Sequence, residues 1–166
     1  MVRSTGFALL IYGFLMPATL AQEVPPVLNA AEFEMCSDFG GVTVNVVGDA
    51  GHNLAPYEFW ADDFAQMGIQ VNVTSVPFEG VYEKLKTEFV AGTGAFDVVT
   101  FYPSYIGDFA GNGYLLPLDD LMSREPAAVW NPKQEDVLAP FRELYNRFGG
   151  STYALTIDGD VLAFMY

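Results

Sequence analysis

From Val42 onward, strand and helix patterns alternate along the chain at a spacing that leaves few possible topologies. The predicted strands are Val42–Val47, Ile69–Thr74 and Phe96–Phe101, with helical periodicity over 54–67 and 79–91 between them. Connections this short require right-handed crossovers, and these place the strands parallel in one sheet. The sequence therefore predicts an α/β fold, and we take the spatial strand order to be 2-1-3.

In that order the turns after the first and third strands, Gly48–Asn53 and Tyr102–Tyr105, lie side by side at the carboxyl edge of the sheet. Small ligands bind at this switch point in open α/β sheets. Tyrosine rings with polar tips suit a sugar ring that has one apolar face and a rim of hydroxyls. The candidate contact residues are Asp49, His52, Tyr102 and Tyr105.

Each of these turns also has a purely structural interpretation. The two tyrosines can simply pack a loop onto a helix. The glycine-rich turn lacks a lysine and carries Asp49, so it is not a phosphate loop. Asn53 is most simply an Asx turn and helix cap.

A second acidic candidate site is Asp158-Gly159-Asp160, between the predicted strands Thr152–Ile157 and Val161–Tyr166. Paired carboxylates occur in glycoside hydrolysis and in calcium sites, but a tight turn explains this spacing nearly as well. The chain has one histidine, which excludes a histidine-cluster metal site. We predict no metal and no cofactor.

The charge balance excludes several classes of partner. The 166 residues carry a formal net charge of −14, which disfavours nucleic acid, anionic membrane surfaces and anionic ligands. Apolar content is ordinary for a globular core, so the acidity does not indicate disorder. A single cysteine, Cys36, allows no internal disulfide.

The two ends predict an exported and truncated chain. Arg3, the apolar run Phe7–Met16 and the small residues before Gln22 form a cleavable signal peptide over residues 1–21, which predicts export to the periplasm. Cys36 lies too far along the chain for lipid anchoring. The apolar run Val161–Tyr166 at the last residue suggests a truncated chain.

Three blocks resemble the N-terminal part of the family 1 extracellular solute-binding proteins of ABC transporters, the mostly carbohydrate-binding periplasmic proteins of the maltose-binding type. They read VTVNVVGDAGHNLAPYEFWADDF, then TSVPFEGVYEKLKTEFVAGTGAFDVVTFYPSYIGDFAGNGYLLPLDDL, then YALTIDGDVLAFMY. The resemblance runs from about Val42 to the last residue and covers less than half of a full family member.

This resemblance implies a type II periplasmic-binding-protein-like fold, in which a solute binds between two hinged lobes and is delivered to ABC permease subunits. Residues 22–41 would be a lead, and 42–166 an incomplete N-terminal lobe with a mostly parallel sheet flanked by helices. By location, the family's ligand contacts fall on Asp49, His52, Tyr102, Tyr105, Asp158 and Asp160. A full-length member would be a non-catalytic monomer.

Two alternatives stay open. A polyamine or other cationic solute fits the acidity and is also compatible with the tyrosines. An exported hydrolase that uses Asp158 and Asp160 is the alternative from a different class, although no obvious apolar pocket raises the pKa of either carboxyl.

Overall fold

A three-stranded parallel sheet forms the centre of the fold in the computed structural model, which describes residues 39–124 and 136–159. The predicted signal peptide, Cys36, Asp160 and the run Val161–Tyr166 lie outside the described residues. In the part of the chain that is described, no helix combines the length and the apolar character needed to cross a membrane.

Through β3, the elements follow one another in the order that the periodicity predicts. The strands are β1 (Val42–Asp49), β2 (Ile69–Val76), β3 (Val98–Val99), β4 (Arg147–Phe148) and β5 (Ser151–Thr152). The helices are α1 (Ala55–Phe59), α2 (Ala61–Gln66), α3 (Val81–Ala91), α4 (Ile106–Gly111), α5 (Asp119–Met122) and α6 (Ala139–Leu144). Single 3₁₀ turns, Phe78–Gly80 and Pro103–Tyr105, precede α3 and α4.

The strand order is β2-β1-β3, with all three strands parallel, as expected. β1 pairs with β2 along its whole length and with β3 only at Val46 and Val47. The third strand is thus shorter than predicted. The residues on either side of β3 are also hydrogen-bonded to β1. The Asp97 amide donates to the Asn45 carbonyl at 2.9 Å, and the Thr100 amide donates to the Val47 carbonyl at 2.8 Å.

Most of the core lies on one face of this sheet. Val47, Val81, Leu85 and Phe109 are at most 1% exposed and pack together. Burying such a side chain contributes about 1.5–3 kcal/mol to folding. Aromatic rings surround this cluster and join α3 to α4. They are Tyr82, Phe89, Phe96, Phe101, Tyr105 and Tyr114.

The first predicted helix is interrupted, and its predicted cap is wrong. Trp60 has non-helical dihedral angles and divides the expected helix into α1 and α2. Leu54 occupies the position before α1, and no side chain caps this end. Asn53 lies one position before the residue that would cap the helix, and its side-chain amide donates to the carboxylate of Asp49.

The second half of the chain differs more from the prediction. The periodicity of the apolar residues between Glu135 and Phe148 predicts a single helix, but α6 ends at Leu144. Arg147–Phe148 instead pairs antiparallel with Ser151–Thr152. Gly149 and Gly150 have φ angles of +59° and +94°, and two successive left-handed residues close a two-residue hairpin.

A polar cluster at the edge of the core fastens α3 to α4. The Lys86 ammonium donates to both carboxylate oxygens of Asp108 at 2.8 and 2.6 Å, and the Tyr82 hydroxyl donates to the same group at 2.9 Å. These donors, Lys86 first, hold the pKa of the Asp108 carboxyl below its usual range. The folded state therefore favours the ionised form of Asp108.

This cluster predicts a specific acid sensitivity. Because the pKa of Asp108 is lower in the folded than in the unfolded chain, its stabilisation is fully present above the unfolded value, about 3.9. It is lost as the pH falls through the folded pKa. We expect Asp108→Asn to lower the free energy of unfolding at pH 7 and to flatten its decline below about pH 4, measured by urea denaturation.

Asp62→Asn is the matched control, because it removes the same charge from an exposed position on α2. An Asp108→Asn variant with the wild-type dependence of stability on pH would show that the cluster does not contribute to folding.

Candidate functional site

The ends of three parallel strands converge on one tyrosine. β1 ends at Asp49, β2 leads into Phe78, and β3 leads into Tyr102. The Tyr102 hydroxyl donates to Oδ2 of Asp49 at 3.1 Å. The Phe78 ring packs edge-on against the Tyr102 ring with 4.8 Å between centroids. The predicted adjacency of the turns after the first and third strands is therefore confirmed.

A glycine permits this close approach. A Cβ at Gly48 would lie 2.8 Å from the Cβ of Thr100, closer still to its hydroxyl, and 3.1 Å from a methyl group of Leu54. The Thr100 hydroxyl also donates to the Val47 carbonyl at 3.1 Å. A glycine is thus required at position 48 because the side chains of Thr100 and Leu54 pack directly against β1 there.

Asp49 is a buried carboxylate held by neutral donors. It is 8% exposed. The Asn53 amide lies 3.1 Å from Oδ1 and 3.3 Å from Oδ2, and Tyr102 donates to Oδ2. Both carboxylate oxygens are therefore engaged within the protein. The sequence predicts Asp49 as a ligand contact, and in the structure this residue is buried and bonded to Asn53 and Tyr102.

The second acidic candidate residue reaches the same turn from far along the chain. His52 Nε2 lies 2.9 Å from Oδ2 of Asp158, a pair separated by 106 positions, and the backbone amide of Gly159 donates to Oδ1 at 2.7 Å. The hydrogen bond with His52, followed by that from Gly159, lowers the pKa of Asp158. The pair is solvated, with side-chain exposures of 78% for His52 and 42% for Asp158.

A buried asparagine helps to position the segment that carries Asp158. Asn146 is 2% exposed, and its side-chain oxygen accepts from the Thr156 hydroxyl at 2.7 Å. Its backbone carbonyl accepts from the amides of Tyr153 and Ala154. Among the described residues, its side-chain nitrogen has no hydrogen-bond acceptor. These bonds hold the chain after β5 in an irregular conformation where we expected a strand.

Tyr105 differs from Tyr102 in its surroundings. Its ring lies 5.0 Å from that of Tyr82, 5.9 Å from that of Phe109 and 6.1 Å from that of Tyr102. It is half-buried and packs on the core. These contacts agree with the interpretation that Tyr105 packs a loop onto a helix. A ligand contact at Tyr105 stays a prediction.

Two contributors were not identified from the sequence. Phe78 is 53% exposed and packs edge-on against Tyr102. Its position two residues after the end of β2 is the sequence feature that could have identified it as part of the site. Asn53 was predicted as a cap, whereas it holds Asp49. The predicted contact at Asp160 lies outside the described residues.

A separate cavity of about 280 Å³ lies between α5, α6 and the β4–β5 hairpin and contains none of the predicted ligand residues. Its arginines are engaged locally, since Arg147 donates to the Gly150 carbonyl at 2.5 Å and Arg142 to Glu143 at 3.2 Å. Within residues 39–124 and 136–159, no group of three or more acidic, histidine or cysteine side chains could hold a metal ion.

Comparison with protein families gives a match over most of the chain. The family model described as bacterial extracellular solute-binding protein matches residues 51–166. No curated protein matches the chain significantly.

Solved structures share the fold. The ABC transporter solute-binding protein of Agrobacterium radiobacter K84, in complex with ribitol, aligns with a TM-score of 0.59 at 23% identity over 68% of this chain. One from Agrobacterium vitis S4, with bound D-mannitol, gives 0.56 at 22% over 67%. The GacH receptor of Streptomyces glaucescens, solved unliganded and with acarbose, gives 0.55 at 28% over 69%. The chain spans only 28%, 26% and 28% of their respective lengths.

The packing at Gly48 can be tested by adding one methyl group. We expect Gly48→Ala to lower the free energy of unfolding by about 1–3 kcal/mol, the range for overpacking a filled interior, as measured by chemical denaturation. Gly80→Ala is the matched control, because a Cβ there meets only a Val76 methyl group at an ordinary 3.4 Å. Equal stability of the two variants would show that β1 and Thr100 are not tightly packed.

Proposed function

The chain belongs to the family of bacterial extracellular solute-binding proteins, and on that premise we propose that it is part of an exported receptor that binds a sugar or polyol for an ABC importer. The carrying observation is the Tyr102 ring at the carboxyl edge of the parallel sheet, with its hydroxyl held by the buried carboxylate of Asp49. Bound ligand would pass to permease subunits in the membrane, and the full-length receptor would act as a periplasmic monomer.

Several features of the site support a polyhydroxylated ligand. Phe78 and Tyr102 offer apolar ring surface, and Tyr102 adds a hydroxyl at the end of that surface. Further polar groups come from His52, in the turn after β1, and from Asp158, which contacts His52. Apolar surface with a few fixed polar groups is the usual composition of a small-molecule site. The polyol and oligosaccharide ligands of the structural neighbours are consistent with this choice.

We further propose that this receptor binds its solute without converting it. A glycosidase of the usual type needs one carboxylic acid whose pKa is raised, so that it can protonate the leaving group. The pKa of Asp158 is lowered, because His52 and the Gly159 amide stabilise its ionised form. Asp158 is therefore suited to accept hydrogen bonds rather than to act as a general acid.

Ligand class is tested by titrating the protein at its natural length with ribitol, D-mannitol, acarbose and, as cationic comparators, putrescine and spermidine. We expect at least one of the first three to bind by calorimetry and to raise the melting temperature. Saturation at 100 times the dissociation constant adds about 2.7 kcal/mol to the free energy of unfolding.

The comparators separate the alternatives. Binding of the polyamines with no response to the polyols or acarbose would favour the cationic-solute receptor. Release of a shorter saccharide from acarbose, detected by mass spectrometry, would overturn the non-catalytic assignment.

A further inference from the structure

Asp49 lies in the position where a ligand contact was expected, but its surroundings assign it another task. We propose that Asp49 is a positioning residue that fixes the proton of the Tyr102 hydroxyl, so that this hydroxyl meets the ligand as a hydrogen-bond acceptor. The inference rests on the proposed function, since it concerns how the same site selects its solute.

The direction of the hydrogen bond follows from chemistry. An ionised carboxylate only accepts, and a phenol has one proton to donate. The 3.1 Å contact between Tyr102 Oη and Asp49 Oδ2 therefore places the tyrosine proton on the protein side. Tyr102 thus offers oxygen lone-pair density to a ligand.

The burial of Asp49 makes it costly to turn the Tyr102 proton away from the carboxylate. Asp49 is 8% exposed, so its carboxylate depends on protein donors for the hydrogen bonds that water would otherwise supply. Asn53 donates to both oxygens from the turn before α1, and Tyr102 donates from the turn after β3. Rotating the Tyr102 hydroxyl toward a ligand acceptor would remove one of these bonds from a buried charge, which is costly.

The consequence is a selective subsite. A ligand group at Tyr102 must itself donate, as a hydroxyl or an ammonium does. A carboxylate or a fully ionised phosphate can only accept, so it would find no proton there and would approach a fixed negative charge. Asp49 thereby favours polyols and sugars over anionic solutes at this point.

Double-mutant cycles test the proposal in two ways. Without ligand, Asp49→Asn and Tyr102→Phe should each lower the melting temperature, and the double variant should lower it by less than the sum, because Tyr102→Phe removes the same bond that Asp49→Asn weakens by replacing a charged acceptor with a neutral one. With D-mannitol, ribitol and acarbose as probes in calorimetry, each single variant should weaken binding about tenfold. In the Tyr102→Phe background, Asp49→Asn should then change the affinity less than about twofold, because the bond through which it acts is already absent. Asp62→Asn, on the exposed face of α2, controls for the lost charge.

Binding of modified ligands distinguishes the proposed positioning role of Asp49 from a purely structural role. In deoxyfluoro analogues of D-mannitol one hydroxyl is replaced by fluorine, which cannot donate. At least one analogue should bind more weakly than D-mannitol to the wild type, and this difference should disappear in Tyr102→Phe.

The outcomes are distinguishable. Additive melting shifts, or a full Asp49→Asn effect on affinity in the Tyr102→Phe background, would overturn the positioning role and make Asp49 a direct contact or an independent group. Coupled melting shifts with no binding of any probe would instead overturn the proposed function, and the donor selectivity with it.

Discussion

The central position of β1 in the sheet determines the geometry of the candidate site. A strand paired on both edges, with helices packed on the sheet, has no access to water along its inner half. The last four residues of β1 are buried, and the final one is Asp49. A carboxylate in such a place must be supplied with donors, and the fold supplies them from the two turns that come after β1 and β3. The arrangement of Asn53 and Tyr102 around Asp49 is thus a consequence of the burial of one strand end.

The same constraint explains which parts of the fold could be predicted from the sequence. The β-branched run of β1, the alternation in β2 and the periodicity of α3 are local signals, and each element lies where its pattern places it. The strand order follows from rules about crossovers. The predictions that failed concern the cap of the first helix and the end of the last one, where the local backbone differs from the predicted helix. The helix after β1 begins at Ala55, one residue later than predicted, so Asn53 is not at its cap position and bonds to Asp49. Gly149 and Gly150 close a hairpin directly after residues that have the periodicity of a helix.

The candidate site was predictable in its location more than in its chemistry. Position after a strand end identified Asp49 and Tyr102, but not that one would be buried and bind the other. The His52–Asp158 contact joins residues 106 positions apart, and the segment carrying Asp158 depends on Asn146, a residue without any motif around it. Such contacts depend on the conformation of segments that have no regular secondary structure. Side-chain hydrogen bonds, rather than the backbone bonds of a helix or sheet, determine that conformation, so no hydrophobic periodicity in the sequence predicts it.

Under the proposed function, the surroundings of the two carboxylates suit them to bind a ligand rather than to transfer a proton. A catalytic pair needs environments that differ, so that one group gives a proton while the other stays ionised. Here donors surround both groups: Asn53 and Tyr102 at Asp49, and His52 with the Gly159 amide at Asp158. Each arrangement satisfies the carboxylate oxygens and presents hydrogen-bonding groups of fixed direction. Under the proposed function, these fixed acceptors beside an aromatic surface suit a ligand rich in hydroxyls, which can donate in many directions. They disfavour an anionic ligand, which would add charge to an already negative site.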